Sequence, residues 1–488
     1  MNLITDVLER FPASKPALLA IDADGERRVW HFGELIARSA GLSGAFAARG
    51  VRSGDVVMTL VGNRVEWVLS LLACWRLGAI ALPCSTQLRR GDLEHRVTVT
   101  DPKLCVGEER LLSELPDGVP AMTMADVADA LDEDRPQETP MAIADLDPED
   151  PALIVFTSGT TGEPRAVLHA QRYLTAQQVQ AEHWLGARDG DLVWCTTATG
   201  WSKSARNVFL APWLRGAAAM LVDARFEADR RLELIEREQV SVLCQAPTEY
   251  RMLAARTELR PISPLRRAVS AGEPLDAEVI ATWREEAGLE ISDGYGQTET
   301  GHLTGNLVGD EVRDGSMGRP LPGFELRVRA EDGAEDGDGS VGELQVRCRT
   351  CPTFFKGYLD GEPFAEEWWP TGDLVRQDGD GYLWFEGRRD DLILSAGYRI
   401  GPTEVESALL SHPAVAEAAA VAAPDPERGA VVKAIVVARD AQPGEELARE
   451  LQEHVKSVTA PYKFPRIVEF VDELPRTSSG KLKRAQLR

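Results

Sequence analysis

The chain has 488 residues, a net charge of −24 and 43% hydrophobic residues. That length implies about three structural units, and the hydrophobic fraction supports a large buried core rather than disorder. The acidic balance argues against nucleic acid or an anionic membrane surface as the main partner, although a local cluster of donors still binds anions.

MNLITDVLERF at the start has no basic-then-apolar signal pattern. No apolar run approaches the ~18 residues of a membrane span. The cysteines at 74, 84, 105, 195, 244, 348 and 351 are scattered and odd in number, which reads as reduced and intracellular; the expected location is the cytoplasm. Cys348 and Cys351 form a lone CxxC without the second pair of a zinc site.

DVVMTLV (55–61) reads as a buried strand. NRVEWVLSLLACWRLG follows as a helix, with Asn63 predicted at its N-cap and Gly78 just past its end. AIALP (79–83) is a strand again, which completes one βαβ unit. The acidic, proline-containing stretch 127–150 is a surface connection, and PALIVF (151–156) is a further buried strand. The alternation recurs through DLVWCTT, AAAMLVD and VSVLCQA, so a parallel α/β sheet is expected, with ligands bound at the carboxyl ends of its strands. Farther on, EDGAEDGDGS (331–340) is an acidic turn between the strands ELRVRA and GELQVRC. Its G-x-G-x-x-G match, Gly337 to Gly342, is not a dinucleotide site: no helix follows, and carboxylates crowd the loop. Past GYLWFEGRRDD the texture changes to a short helix beginning at Pro402, two strands, a helix near 444–458 and the strand RIVEFV. The predicted class is α/β: a large N-terminal domain of parallel-rich βα layers (1–388), a hinge (389–391), and a small, mobile α+β C-terminal domain (392–488).

Four stretches carry chemistry. FTSGTTGEPR (156–165) follows the strand PALIVF and is not a Walker loop, because G-x-x-x-x-G-K-[ST] is absent. Its physics is close to one. Gly159 and Gly162 free the backbone to turn and present N–H groups, Thr157, Ser158, Thr160 and Thr161 add hydroxyls, and Arg165 adds a bidentate cation. In SDGYGQTETG (292–301), Tyr295 offers a flat face for a base, Gln297 and Thr298 offer polar edges, and Glu299 offers an oxygen ligand for Mg²⁺. In TGDL (371–374) and GRRDD (387–391), Asp373 suits two ribose hydroxyls, and Arg388 suits the same sugar or a phosphate. RTSSGKLKR (476–484) carries Lys481 at its tip.

These pieces stand in order with AGEPL (271–275), GRRDDLILSAGYRIGPTEVESALLSHPAV (387–415) and LPRTSSGKLKR (474–484). Together they resemble the adenylate-forming, AMP-binding superfamily of acyl-CoA synthetases, stand-alone adenylation domains and firefly luciferase, over nearly the whole chain. The branch it most resembles is the medium-chain acyl-CoA synthetases, through TGWSKSARNVFLAPWLRGA (199–217), APTEYRML (246–253), PDPERGAVVKA (424–434) and VKSVTAPYKFPRIVEFVDELP (455–475).

The resemblance implies adenylation of a carboxylic acid by ATP with Mg²⁺, then transfer of the acyl group to coenzyme A. By residue match, Thr157, Ser158, Gly159, Thr160, Thr161, Gly162 and Arg165 would take the β- and γ-phosphates. Asp293, Gly294, Tyr295, Gly296, Gln297 and Thr298 would hold adenine and its neighbours, with Asp373 and Arg388 on the ribose. Lys481, Thr298 and Arg399 would be catalytic, and Glu299 with Thr157 would hold the metal. Trp201, Gly272 and Gly296 would line the acyl pocket. Gln87, Ala396, Gly397, Tyr398, Arg428 and Arg466 would meet coenzyme A, and Asp390 matches the hinge. Two features depart from or blur the pattern: Arg165 stands where the family usually has lysine, and Lys483 neighbours Lys481. The alternative is a stand-alone adenylation enzyme that loads a carrier-protein thiol. Amino-acid-activating members usually place an aspartate in the region of 199–203, where this chain has Thr199-Gly200-Trp201-Ser202-Lys203. A nucleotide binder without catalysis and a luciferase-like oxygenase are further readings. No nucleic-acid partner or membrane integration is expected.

Overall fold

The computed structural model describes residues 1–132, 141–157, 164–273, 275, 277–330, 339, 341–395, 398–425, 428–439, 441–476 and 482–488, apart from the side chains of 394, 398, 399 and 485. The chain forms two compact units. The first comprises Met1–Thr157, Pro164–Glu325 and Cys348–Glu367; the second comprises Leu326–Arg347 and Trp368–Arg488.

Two sheets build the first unit. In the seven-stranded sheet, Pro151–Phe156, Ile80–Pro83, Val56–Leu60, Leu104–Gly107 and Ala121–Thr123 run parallel. Ala166–Ala170 returns antiparallel beside Pro151–Phe156, and the two-residue strand Gly357–Tyr358 closes that edge. Every residue of Val56–Leu60 and Leu104–Gly107 is buried, which is why both read as unbroken apolar runs without alternation. In the nine-stranded sheet, Ile291–Gln297, Arg267–Ala271, Val242–Gln245, Leu192–Cys195, Ala218–Val222 and Pro16–Ile21 are parallel neighbours. Antiparallel strands flank them at both ends.

The helix expected after the first strand is Val65–Leu77, and Gly78 ends it in the left-handed region at φ 77°, where a side chain would be strained. Asn63 is not its N-cap. Arg64 occupies that position without a side-chain cap, because a tight turn from Arg64 N–H to the Gly62 carbonyl (2.7 Å) delays the helix by one residue. The Asn63 amide instead donates to the Thr197 carbonyl at 3.4 Å.

The second unit holds a four-stranded antiparallel sheet in the order Leu326–Arg329, Val341–Arg347, Trp368–Gln377, Leu383–Arg388. The 3-10 turn Arg389–Asp391 follows, then the hairpin of Ile393–Ser395 and Tyr398–Ile400. A three-stranded sheet of Val415–Asp425, Gly429–Ala438 and Ile467–Phe470 shares one core with the helices Pro402–Leu410 and Glu445–Val458. Arg484 binds Glu406 and approaches Asp391 at 3.5 Å, and Arg488 binds Asp391 at 2.6 Å, so the end of the chain is pinned to the 389–391 turn. Among the described residues no helix is long and apolar enough to cross a membrane.

In one core of the first unit, the fully buried Trp283 meets Tyr250 edge-on, with ring centroids 5.1 Å apart, and donates to the Tyr250 carbonyl at 3.3 Å. Trp283→Ala is expected to cost ~3–5 kcal/mol, read as a lower urea midpoint for unfolding of the first unit.

Candidate active site

The strand Pro151–Phe156 delivers Thr157 to the carboxyl edge of its sheet. There the Thr157 N–H donates to the Arg165 carbonyl at 3.0 Å, and the Arg165 N–H donates to Thr157 Oγ1 at 3.3 Å. These bonds close the neck of the glycine- and hydroxyl-rich loop. Ser158, Gly159, Thr160, Thr161 and Gly162 lie outside the described residues.

At the neck, the Arg165 guanidinium lies over the Tyr358 ring, 3.3 Å from its centroid, with Asp360 3.8 Å away. The Tyr358 hydroxyl donates to Glu299 Oε1 at 2.8 Å. Burial, reinforced by the adjacent Glu299 charge, pushes the Tyr358 phenol up, so it remains a donor. One tyrosine therefore joins the loop cation to the carboxylate predicted to bind metal. Tyr358 is absent from the residues read out of the sequence; its signal is only the GY of FFKGYLD.

The strand Ile291–Gln297 of the nine-stranded sheet carries the second motif at its carboxyl end and ends in a turn at 298–300. Gln297 N–H donates to Thr300 Oγ1 at 3.2 Å, and Phe355 N–H donates to the Glu299 carbonyl at 2.8 Å. Gly296 is obligatory, since a Cβ there would lie 2.0 Å from the Gly301 carbonyl oxygen. Asp293 is buried and its Oδ1 has no partner. Burial, only partly offset by the Gly294 N–H, raises its carboxyl well above the usual range.

Trp201, half-buried, precedes the short helix Lys203–Ala205 and the π turn Arg206–Leu210. Lys203 Nζ donates to the Ala271 carbonyl. Gly272, at φ 111°, has no space for a side chain, because a Cβ would sit 2.8 Å from that ammonium. Trp201, Lys203 and Gly272 thus come from segments that the structure brings together around Lys203.

Behind this edge lies a buried polar group that sequence reading missed. His169 stacks on Tyr173 and His302 packs on Trp184, each with centroids 3.9 Å apart. Arg206 is 3% exposed. Burial first, then the charges of Arg206 and Arg172, lower His169 to about 3; burial, then Arg206 and Lys203, takes His302 well below its ordinary value. The signal available for Arg206 was one charge inside an otherwise apolar helical run, ARNVFLAPWL.

In the second unit, Asp373 and Arg388 face each other across paired strands, with Nη1 3.0 Å from Oδ1. Asp373 is 4% exposed, and its N–H donates to Thr371 Oγ1 at 3.1 Å. Asp390 is exposed in the turn that follows. Tyr398 pairs with Ser395, and Arg399 with Leu394, in the hairpin; the side chains of Tyr398 and Arg399, and the whole of Ala396, Gly397 and Lys481, lie outside the described residues. Arg428 is exposed, and its N–H donates to Asp425 at 2.9 Å. Arg466 is exposed, with its guanidinium 5.0 Å from the Phe464 ring. In the first unit, Gln87 is exposed beside Ser85.

Among the described residues no three His, Cys, Asp or Glu side chains cluster to hold a metal. A lone Glu299 carboxylate, oriented by Tyr358, fits Mg²⁺, which is usually held by one or two carboxylates together with substrate phosphates.

The two buried imidazoles set a pH dependence. Both are neutral when folded and gain protons on unfolding below about pH 6.5. Their contribution is complete above about pH 6.5 and shrinks as pH falls, by ~1.4 kcal/mol per unit for each histidine, until the folded value is passed at about 3 for His169. The urea midpoint is expected to fall between about pH 6.5 and 5, above the usual carboxylate range, and His169→Gln is expected to make that slope shallower.

Known proteins bear on this arrangement. The AMP-binding enzyme family model matches residues 4–359, and the AMP-binding enzyme C-terminal domain model matches residues 404–481. The chain is 38% identical over 507 residues to the uncharacterized acyl–CoA ligase YtcI of Bacillus subtilis (strain 168), covering 100% of this chain and 95% of that protein. It is 37% identical over 522 residues to the mitochondrial acyl-coenzyme A synthetase ACSM3 of Mus musculus, covering 100% and 90%. The solved structure of the anthranilate CoA ligase AuaEII in complex with anthranoyl-AMP superposes with a TM-score of 0.88 at 31% identity, covering 100% and 96%.

Proposed function

Since the chain belongs to the AMP-binding enzyme family, we propose that it is an ATP-dependent acyl-CoA synthetase, an acid–thiol ligase for a medium-chain, branched, cyclic or aromatic carboxylic acid. The observation that carries this reading is the line Arg165–Tyr358–Glu299 at the closed neck of a glycine- and hydroxyl-rich loop. It sets a cation and a metal-binding carboxylate where a triphosphate would lie. The relatives' description as acyl–CoA ligases and synthetases supports thioester formation over other fates of an adenylate.

The carboxylate oxygen of the acid attacks the α-phosphorus of ATP, and pyrophosphate leaves. The thiol of coenzyme A then attacks the acyl carbon, gives up its proton, and AMP leaves. Charge is the obstacle in the first step, because an anion approaches a polyanion, and preorganised cations and N–H donors lower that barrier. Residues 157–162 and Arg165 hold the β- and γ-phosphates. Asp293 to Thr298 surround the adenine and the acyl phosphate, with Tyr295 on the base. Asp373, steered by Arg388, accepts from the ribose hydroxyls, and Arg399 reaches the nucleotide. Glu299 and Thr157 would hold Mg²⁺, which would neutralise phosphate charge when bound. Lys481 bridges the α-phosphate and the carboxylate. Trp201, Gly272 and Gly296 border the acyl group.

The C-terminal domain from residue 392 turns about Asp390 between the two steps. That motion withdraws Lys481 and brings Ala396, Gly397 and Tyr398 to the adenylate. The pantetheine arm passes Gly397 and reaches Gln87, while Arg428 and Arg466 meet the phosphates of coenzyme A.

Lys481→Ala is expected to slow adenylation by on the order of 10²–10³ while sparing thioester formation from a supplied acyl-adenylate; equal loss in both half-reactions, measured separately, contradicts a role confined to the first. Asp373→Ala is expected to raise the KM for ATP strongly in pyrophosphate-release kinetics, and an unchanged KM would sink the ribose assignment. The reaction itself is tested by AMP and pyrophosphate release over acids from acetate to octanoate, benzoate and cinnamate, with and without coenzyme A. AMP turnover that requires coenzyme A supports the proposal, whereas pyrophosphate release without it points to another acceptor.

A further inference from the structure

The buried polar group behind the active edge has no part in the two chemical steps. Arg206 is 3% exposed, its Nε and Nη1 are unpartnered, and among the described residues it has no ion pair; its polar neighbour is the Tyr173 hydroxyl. Around it, both ring nitrogens of His169 and of His302, the Tyr173 hydroxyl and the Ser202 hydroxyl are also buried without partners. Arg206 and Ser202 both lie close enough to the Tyr173 hydroxyl to lower its pKa against the larger, opposing effect of burial. His302 pairs in register with Gly296, and its ring would be struck by a Cβ placed on Gly294. His169 lies against the Thr298 backbone. The group therefore spans from the 294–298 segment to the 201–206 segment, which carry Gly296 and Trp201, both assigned above to the border of the acyl group.

Its charge is one-sided. The guanidinium is donor-only and positive, and beside it stand two imidazoles, each with one N–H and one acceptor nitrogen, and two hydroxyls; none of these is an anion. A buried, unpaired guanidinium is strongly unfavourable, and its planar fork matches a carboxylate with two parallel bonds. An alkyl or unsubstituted aromatic tail would leave all these donors unmet.

Resting on the acyl-CoA synthetase reading and its acyl pocket, we propose that the acid substrate carries a second carboxylate at its far end, and that Arg206 receives it, with His302, His169 and Tyr173 as further donors. Arg206 is thus assigned as the residue that determines specificity for a dicarboxylic acid, which is activated at one end only.

The test uses the full-length enzyme and coenzyme-A-dependent AMP release with chain-matched pairs: hexanoate and hexanedioate, octanoate and octanedioate, benzoate and benzene-1,4-dicarboxylate. The wild type is expected to favour the dicarboxylate in at least one pair by on the order of 10² or more in kcat/KM, as for a site built to pair a polar group. Arg206→Met is expected to move that ratio toward the monocarboxylate by ~10²-fold, mainly through KM, and Arg206→Lys, which keeps the charge but lacks the fork, by less. Because the readout is a ratio within one preparation, partial loss of folded protein does not imitate it. A wild type that favours the monocarboxylate in every pair overturns the inference whatever the variants do, as does an Arg206→Met that lowers both members of a pair equally. Coenzyme-A-dependent turnover of monocarboxylates alone leaves the acyl-CoA synthetase reading standing; absence of AMP and pyrophosphate release with every acid removes both.

Discussion

One tyrosine ring organises the first unit's active edge. Tyr358 reaches its place through a strand of only two residues, held antiparallel to Ala166–Ala170. From there its face carries Arg165 and its hydroxyl holds Glu299. The two groups are opposite in charge and are not bridged directly to each other; the phenol between them keeps them oriented yet apart. A direct ion pair would satisfy both and leave neither ready for a phosphate or a metal. The stacked geometry also gives a physical reason for arginine at this position, since a planar guanidinium lies flat on a ring in a way a compact ammonium does not.

A second theme is the suppression of charge in the buried parts of the first unit. Burial raises the Asp293 carboxyl and lowers His169 and His302. The shifts run in opposite senses on acid and base, yet each disfavours the charged form. Lys203, anchored on the Ala271 carbonyl, the buried Arg206, and Arg172 are cations of that neighbourhood.

Much of the architecture was legible because burial writes itself into composition. Strands covered on both faces, such as VVMTL and LCVG, can only be apolar. Gly78 marks a helix end because few other residues accept its backbone angles. The motif glycines were readable for the same reason; at Gly296 the backbone comes too close for any side chain. What escaped was set by distance in sequence. Asn63 has the chemistry of a cap but is diverted to Thr197, far along the chain. Tyr358 gains its role from partners at 165 and 299, and no local pattern announces a two-residue edge strand. The polar group around Arg206 draws on three separate segments, each of which alone looks like an ordinary histidine, tyrosine or arginine.

The π turn at Arg206–Leu210 has a consequence for how such a protein can diverge. A π turn holds one residue more than the α-helical path it interrupts. Deleting a single residue there restores the α register and rotates the preceding side chains by ~100° about the helix axis. Arg206 would swing away from His302 and Tyr173 without any change in the neighbouring strands. The lining of this interior region is therefore open to revision by loss of one codon, a single event that no series of point substitutions within the helix reproduces.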